Sequence, residues 1–434
     1  MFFSSLSVQF TSHRFSIAWS RVLPTGGTDN INQEGVKFYR DYIDKVISNG
    51  MEPMVTMLHM DHPVALEIAT GGWDYPAMVE KFVVYAEFLF KTFGDKVKYW
   101  NTVNEPNMFC SYWPGLAPRE NGFHRCVHNI IVAHMQAYQL YKQKYAPTQN
   151  GKVGASVLMS PGMPKTTQAE DVMAAEVFNQ VYCGTVLHPL VYGDYPPVLR
   201  YLTDKLQKEK NVSEAILPTF TDEQKAILAG GATDFVALNL YSEFKAGYSN
   251  NPTNPNMPVL FKDMMEEIPF VEISGTGGFS KVDDALMKNG LLWIWRSYHI
   301  PIIIAENGLG DTKHAGVNDT ERAAYHSANL RSLVRTIKEY GVEVLAYYAW
   351  ALLDVYEFSA GYSGRPFGLI HVDYKTGSLN RTLKNSAQFF IELRDTGRVP
   401  NILPPDEGPS TSASSTLSSG LLLLAVGAMR GLWL

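Results

Sequence analysis

Tyr99-Trp100-Asn101-Thr102-Val103-Asn104-Glu105-Pro106 is a short β-rich run that ends on a carboxylate, and what flanks it decides the fold. Met78 to Phe93 before it and Cys126 to Lys144 after it repeat apolar and charged positions at helical spacing. A strand set between helices calls for parallel pairing, because parallel neighbours need a long crossover connection. The unit recurs. Further β-rich runs lie at Arg14 to Trp19, Glu52 to Leu58, Lys152 to Val157, Phe235 to Tyr241, Pro301 to Glu306 and Val344 to Trp350. Helical patterns at Val36 to Asn49, Ala169 to Cys183 and Thr320 to Tyr340 fall between them. Alternation of this kind, in a chain of 434 residues that is 46% hydrophobic, predicts an α/β protein with a TIM (β/α)8 barrel filling residues 1–403 as one domain. The runs number seven where such a barrel has eight, so the first strand is expected to be missing from this chain. Asp204 to Gly231 reads as an added helix, Tyr248 to Pro258 and Ser274 to Gly278 as long connections, and Ser363 to Phe367 as a tighter turn.

A second run, Pro301-Ile302-Ile303-Ile304-Ala305-Glu306-Asn307-Gly308, also closes on a carboxylate. Barrel enzymes keep their chemistry at the C-terminal ends of the strands, where two such residues can face each other across the mouth. A pair of carboxyl groups is the equipment of glycosidic bond cleavage, one as acid and the other as nucleophile or base. A gap of about 5 to 5.5 Å between them gives retention and a wider one gives inversion. Sequence does not measure that gap, so the stereochemistry stays open at this level.

A net charge of −6 without any long Lys/Arg run argues against a nucleic-acid partner. Aromatic residues make up 12% of the chain, enough to fill a large core and to leave rings for stacking on sugars. Cys110, Cys126 and Cys183 match no zinc spacing, so no metal is expected. One bridge between Cys110 and Cys126 and three buried free thiols are both compatible with these positions. Asn211, Asn318 and Asn380 each begin an N-glycosylation acceptor sequence.

Residues 404–434 change character. Asp406 to Gly420 is polar and Ser/Thr-rich, and Leu421 to Leu434 is apolar except for Arg430 and too short to span a bilayer. With Ser410 as attachment site, followed by Thr411 and Ser412, the eight residues Ala413 to Gly420 form the spacer of a glycolipid-anchor signal. Membrane attachment through such an anchor, at the cell surface or outside the cell, is therefore expected. Met1 to Phe10 lacks the basic start and apolar stretch of a signal peptide, so that segment is expected to be absent from this chain.

Taken together, Arg14-Phe15-Ser16-Ile17-Ala18-Trp19-Ser20-Arg21, Thr102-Val103-Asn104-Glu105-Pro106, Ile304-Ala305-Glu306-Asn307-Gly308 and Trp350-Ala351-Leu352-Leu353-Asp354 resemble glycoside hydrolase family 1, the retaining β-glucosidase group. The resemblance runs from about Arg14 to Arg398. It implies that Glu105 is the acid/base and Glu306 the nucleophile, acting without a cofactor on a small β-glycoside or oligosaccharide. It further implies that Asn104 holds the sugar 2-hydroxyl and His59 another hydroxyl, with Asn239 on the same floor. Arg14 and Tyr241 are implied to keep Glu306 ionised and oriented, Trp350 to form the platform under the ring, and Glu357 to grip the outer hydroxyls. A carboxylate at that place would repel a phosphate, which favours an unphosphorylated hexose.

Several positions depart from the family pattern. Met60 follows His59 where Trp is common, and His62 stands where Leu usually precedes Pro63. Val355 and Tyr356 replace Asn-Phe, and Phe358 follows Glu357 where the family has Trp, which removes an indole N–H donor. One sugar hydroxyl left unpaired in a buried site costs about 1 to 3 kcal/mol, enough to redirect sugar preference. The family's first strand carries a sugar-binding glutamine for which no residue here stands. Loops near Trp113, Trp293 and Trp295 are expected to read the aglycone. The leading expectation is a retaining β-glucosidase. A thioglucosidase is the alternative among enzymes, and a catalytically weak sugar-binding or co-receptor protein the alternative outside them.

Overall fold

The computed structural model describes residues 9–112, 122–252, 262–275, 284–311, 315–358 and 360–404. Its strands are β1 (Ser12–Ser16), β2 (Glu52–Leu58), β3 (Tyr99–Val103), β4 (Lys152–Met159), β5 (Gly162–Pro164), β6 (Val236–Leu240), β7 (Phe244–Tyr248), β8 (Val271–Ser274), β9 (Ile302–Asn307), β10 (Val344–Ala349), β11 (Ile370–Val372) and β12 (Arg381–Leu383). Seven of them make one sheet in the order β1-β2-β3-β4-β6-β9-β10, interleaved in sequence with helices. This is the α/β architecture of a parallel barrel, as the alternation of runs predicts.

The pairing is parallel. Arg14 of β1 lies opposite Met54 of β2, Val55 of β2 opposite Trp100 of β3, and Trp100 of β3 opposite Val153 of β4. Val344 of β10 starts beside Ile302 of β9. Strands β6 and β9 are buried at every residue, and β2 to β4 at every residue but the first. This is why their sequences read as continuous apolar runs rather than alternating ones. Strands β1 and β10, at the two ends of the sheet order, are half-buried along their whole length.

The chain divides into two compact units, one made of Ser12–Asn239 with Phe244–Thr276, the other of Leu240–Glu243 with Gly277–Leu434 and Met1–Thr11. In the first, the helix Ala77–Phe93 buries Phe82, Tyr85, Leu89, Phe90 and Phe93, and Tyr85 Oη lies 2.9 Å from the Ile17 and Met57 carbonyl oxygens. Trp19 stacks flat on Tyr85 with ring centroids 4.4 Å apart, and Phe90 meets Trp100 edge-on at 5.4 Å. Such ring pairs add about 0.5 to 1.5 kcal/mol beyond the area they bury. In the second unit the helices Leu286–Tyr298, Thr320–Tyr340 and Asn385–Thr396 accompany β9 and β10. There the buried His326 ring packs against Phe390 with centroids at 5.0 Å.

Two readings of the sequence are corrected. The run Arg14 to Trp19 is a strand only to Ser16; Trp19–Val22 closes a helical turn, with Leu23 N–H donating to Trp19 C=O at 2.8 Å. The apolar Ile17-Ala18-Trp19 looked like more strand, but the indole is used as a core plug and its Nε1–H is satisfied by Gly26 C=O at 3.2 Å. Trp293 and Trp295 do not sit in a loop. They belong to the helix Leu286–Tyr298, whose left-handed cap at His299 ends it. Trp113 lies outside the described residues.

Elsewhere the insertion Asp204 to Gly231 is two helices, Pro197–Lys210 and Asp222–Ala229, the second started by a reciprocal cap in which Thr221 Oγ1 accepts from Gln224 N–H and Gln224 Oε1 accepts from Thr221 N–H. A small sheet, β5 parallel to β7 and β7 antiparallel to β8, and the hairpin β11-β12 were not legible, because strands of three to five residues carry too few positions to show a period. Cys110 and Cys126 form a disulfide, and Cys183 is a buried thiol. Asn211, Asn318 and Asn380 are exposed. The anchor signal proposed beyond Pro405 and the stretch Met1 to Val8 lie outside the described residues. Among the described residues no helix is long and apolar enough to cross a membrane.

Candidate active site

In the first unit the expected residues gather around Asn104, just past the end of β3. Its Oδ1 accepts from Arg14 Nη2 at 2.6 Å and from Asn239 Nδ2 at 3.1 Å. Two donors on one oxygen fix which way the amide faces. Asn104 Nδ2 therefore points to His59 Nε2, 3.4 Å away, at the limit of a hydrogen bond. The Asn104 N–H continues the sheet ladder by one step, donating to Leu58 C=O at 2.8 Å.

Glu105 is the first residue to leave the ladder. Its backbone turns into the left-handed region, φ +47°, a conformation that costs a non-glycine residue of the order of 1 kcal/mol. Pro106 then opens the helix Pro106–Tyr112 at a position that has no use for an N–H, and Glu105 C=O accepts from Met108 and Phe109 N–H at 3.0 and 2.8 Å. The carboxyl group is buried and Asn239 Nδ2 donates to its Oε1 at 2.7 Å. The Cys110–Cys126 bridge, with Cα atoms 5.7 Å apart, ties this helix to the next, Gly122–Leu140.

Near His59 the departures from the family pattern form a group of their own. Met60 has φ +62°. The side chain of His62 is buried and bonds Glu67 Oε1 at 2.5 Å. Asp61 accepts from the His59 N–H at 3.2 Å, and burial pushes its carboxyl up to about 6 against the pull of that bond and of His62. Sequence reading passed over Asp61 and Glu67. The signal was present only as an acid two residues beyond the histidine, a spacing with many other uses.

In the second unit, Glu306 stands near the end of β9, buried, and Tyr241 Oη donates to its Oε2 at 2.7 Å. Gly308 is required two residues later: a Cβ there would lie 1.9 Å from Trp350 C=O, while Trp350 N–H donates to Asn307 C=O at 2.9 Å. The Glu-Asn-Gly motif thus has a backbone reason for its last letter. Trp350 Nε1–H donates to Glu357 Oε1 at 3.1 Å. Glu357 is half-buried, and that burial raises its carboxyl to about 7 although the Trp350 bond lowers it; the charge of Glu306 adds to the rise. Phe358, by contrast, is 54% exposed.

The structure therefore brings Arg14, His59, Asn104, Glu105 and Asn239 together within one unit, and Tyr241 with Glu306 and Trp350 with Glu357 within the other. Each of the two carboxyl groups thus has one oxygen engaged by a neutral donor, Glu105 Oε1 by the Asn239 amide and Glu306 Oε2 by the Tyr241 phenol. Among the described residues no group of three His, Cys, Asp or Glu side chains could hold a metal ion.

Comparison with known proteins places the whole chain in a family. The sequence model for glycosyl hydrolase family 1 matches residues 4–398. The chain is 35% identical to Myrosinase 1 of Brevicoryne brassicae over 396 residues, which is 89% of this chain and 84% of that protein. It is 36% identical to the lactase/phlorizin hydrolase of Rattus norvegicus over 89% of its own length, but spans only 20% of that much longer protein. Among solved structures, aphid myrosinase superposes with a TM-score of 0.83 at 31% identity, covering 90% of this chain and 85% of that one. A rice β-glucosidase does so with a TM-score of 0.80 at 32% identity, covering 90% and 86%. A match over nearly the whole described length, in sequence and in fold, leaves one assignment: the chain belongs to glycosyl hydrolase family 1 and is a β-glucosidase-type glycosidase.

Proposed function

We propose that this enzyme cleaves terminal β-D-glucosyl or closely related β-glycosyl residues with retention, Glu306 acting as nucleophile and Glu105 as acid/base. What carries the reading is that each carboxyl group is buried and accepts a hydrogen bond from a neutral donor, Tyr241 on Glu306 and Asn239 on Glu105. In the first step the Glu306 carboxylate attacks the anomeric carbon while Glu105 gives its proton to the glycosidic oxygen, so the C–O bond breaks, the aglycone leaves as an alcohol and a glycosyl ester forms. In the second, Glu105 takes a proton from water, the water oxygen bonds to the anomeric carbon, and Glu306 is released. Asn104 and His59 are proposed to bind sugar hydroxyls, Trp350 to lie under the ring, and Glu357 to take the outer hydroxyls. An oxidising compartment, in keeping with the Cys110–Cys126 bridge and the exposed glycosylation acceptors, is proposed as the place of action.

The test is covalent trapping. An activated 2-fluoro β-glucoside should label a single peptide at Glu306, seen by mass spectrometry. Label on another residue, or turnover of dinitrophenyl glucoside with no label at all, would sink the assignment.

The relatives named as myrosinases favour one second reading, an S-glycosidase, because a thiolate leaves with less help from an acid. Turnover of an alkyl thioglucoside at a rate comparable to the matching O-glucoside would support it.

A further inference from the structure

A set of polar residues beside Glu306, buried except for the half-buried Tyr347, is used by no step above. Asn307, the next residue on β9, is fully buried and its side chain is saturated. Nδ2 donates to Leu240 C=O at 2.6 Å and to Tyr325 Oη at 2.9 Å, and Oδ1 accepts from Tyr347 Oη at 2.7 Å. The Leu240 carbonyl fixes the orientation of the amide, since the reverse would set two acceptors against each other.

With that orientation every proton can be placed. Tyr347 spends its only proton on Asn307 Oδ1, so the 2.8 Å contact between His326 Nδ1 and Tyr347 Oη is a donation from an Nδ1-protonated imidazole. That imidazole is neutral, because burial holds its pKa near 3. Tyr325, whose oxygen accepts from Asn307, passes its own proton to Tyr241 C=O at 3.2 Å. Tyr241 then donates to Glu306 Oε2. All donations run one way, from His326 through Tyr347, Asn307 and Tyr325 to Tyr241, and from Tyr241 to the carboxylate.

The mechanical consequence follows from where β6 stops. Leu240 is its last residue, and the two carbonyls at that end, Leu240 and Tyr241, are the ones held by Asn307 and Tyr325. A peptide fixed at both carbonyls leaves Tyr241 little freedom in the direction of its Cα–Cβ bond. Because Asn307 follows Glu306 directly, the segment that needs the phenol donor also anchors the backbone that presents it.

We propose that Asn307, Tyr325 and Tyr347, closed off by His326, are positioning residues for the nucleophile, holding Tyr241 so that its phenol proton stays on Glu306 through the attack. The proposal rests on Glu306 being the nucleophile. Its distinguishing property is that Tyr325 acts through Tyr241: once the Tyr241 hydroxyl is gone, loss of the Tyr325 hydroxyl should no longer slow the chemistry.

The experiment is a double-mutant cycle with parent, Tyr241→Phe, Tyr325→Phe and the double variant. The probe is 4-nitrophenyl β-glucoside for kcat and KM, and the inactivation rate by an activated 2-fluoro glucoside reports the attack itself. Tyr325→Phe alone is expected to lower kcat and the inactivation rate about tenfold with KM little changed, the effect of one buried hydrogen bond left unmade. The double variant is expected to lie within about twofold of Tyr241→Phe. Independent effects that multiply in the double variant would overturn the proposal, as would a Tyr325→Phe enzyme as fast as the parent. If Tyr325→Phe does not fold, Tyr347→Phe carries the same test from the other side of Asn307, with the same two overturning results. A parent that turns over the glucoside but labels elsewhere than Glu306 overturns the nucleophile assignment and this proposal with it; labelling at Glu306 with a multiplicative cycle overturns this proposal alone.

Discussion

Tyr241 donates its phenol proton to Glu306 Oε2 across 2.7 Å, with both side chains buried. A neutral donor at that distance stabilises a carboxylate without neutralising it. Tyr241→Phe is therefore expected to lower kcat/KM for an aryl β-glucoside about ten- to hundredfold, the loss of one hydrogen bond to a charged group. Steady-state kinetics decide this; a variant with parental kcat/KM would show that the phenol has no part in the chemistry.

Glu105→Gln removes a proton donor but keeps the shape of the site and leaves Asn239 a carbonyl to meet. Loss of acid catalysis should cost about 10² to 10⁴ in turnover of a glucoside with a poor leaving group. A dinitrophenyl glucoside needs no proton to leave, so it should show a fast burst followed by slow hydrolysis, and azide should restore turnover by giving a β-glucosyl azide. Equal losses on both substrates would count against Glu105 as the acid.

Glu357 gives a pH dependence with a definite sign. Burial, reinforced by the charge of Glu306 and opposed by the Trp350 bond, raises its carboxyl from 4.5 to about 7. The unfolded chain thus loses this proton at lower pH than the folded one, so the group costs stability progressively as pH rises from about 4.5 and the full cost is present above about 7. In Glu357→Gln that term is absent. Relative to the parent, the variant should gain of the order of 1 to 2 kcal/mol between pH 4 and pH 8, read from urea midpoints at constant slope. A parent and variant whose difference is flat across this window would refute the assignment.

The Cys110–Cys126 bridge closes a loop of 16 residues directly after Glu105. Constraint of the unfolded chain over such a loop is worth about 3 kcal/mol. The double substitution Cys110→Ser, Cys126→Ser should lower stability by about that amount, and the parent under reducing conditions should unfold at the same denaturant concentration as the variant. Coincident curves for oxidised parent and variant would mean that the bridge contributes nothing.

How far the sequence reaches is clear from particular elements. The strand Glu52–Leu58 and the helix Thr320–Tyr340 have the limits that their residue patterns predict, since long apolar runs and long helical periods leave few alternatives. The first run overshot by three residues because Ile17-Ala18-Trp19 is as apolar as a strand, and only the packing of Trp19 on Tyr85 tells them apart. The helix Leu286–Tyr298, which carries Trp293 and Trp295, is not among the helical patterns read from the sequence. The disulfide was left open between two readings, and it took the approach of two helices to decide it.

By itself the sequence determined the alternation of strand and helix, and with it the parallel α/β class and the placing of Glu105 and Glu306 at strand ends. These are local properties, set by side-chain periodicity over five to twenty residues, and they survive in a one-dimensional string. Tertiary structure alone decided that Asn239 donates to Glu105, that Glu105 takes a left-handed backbone, and that Asn307 anchors the end of β6. The two contacts among these join residues 134 and 67 positions apart. No local pattern encodes a partner at that distance, because its position is fixed by the packing of the segments between.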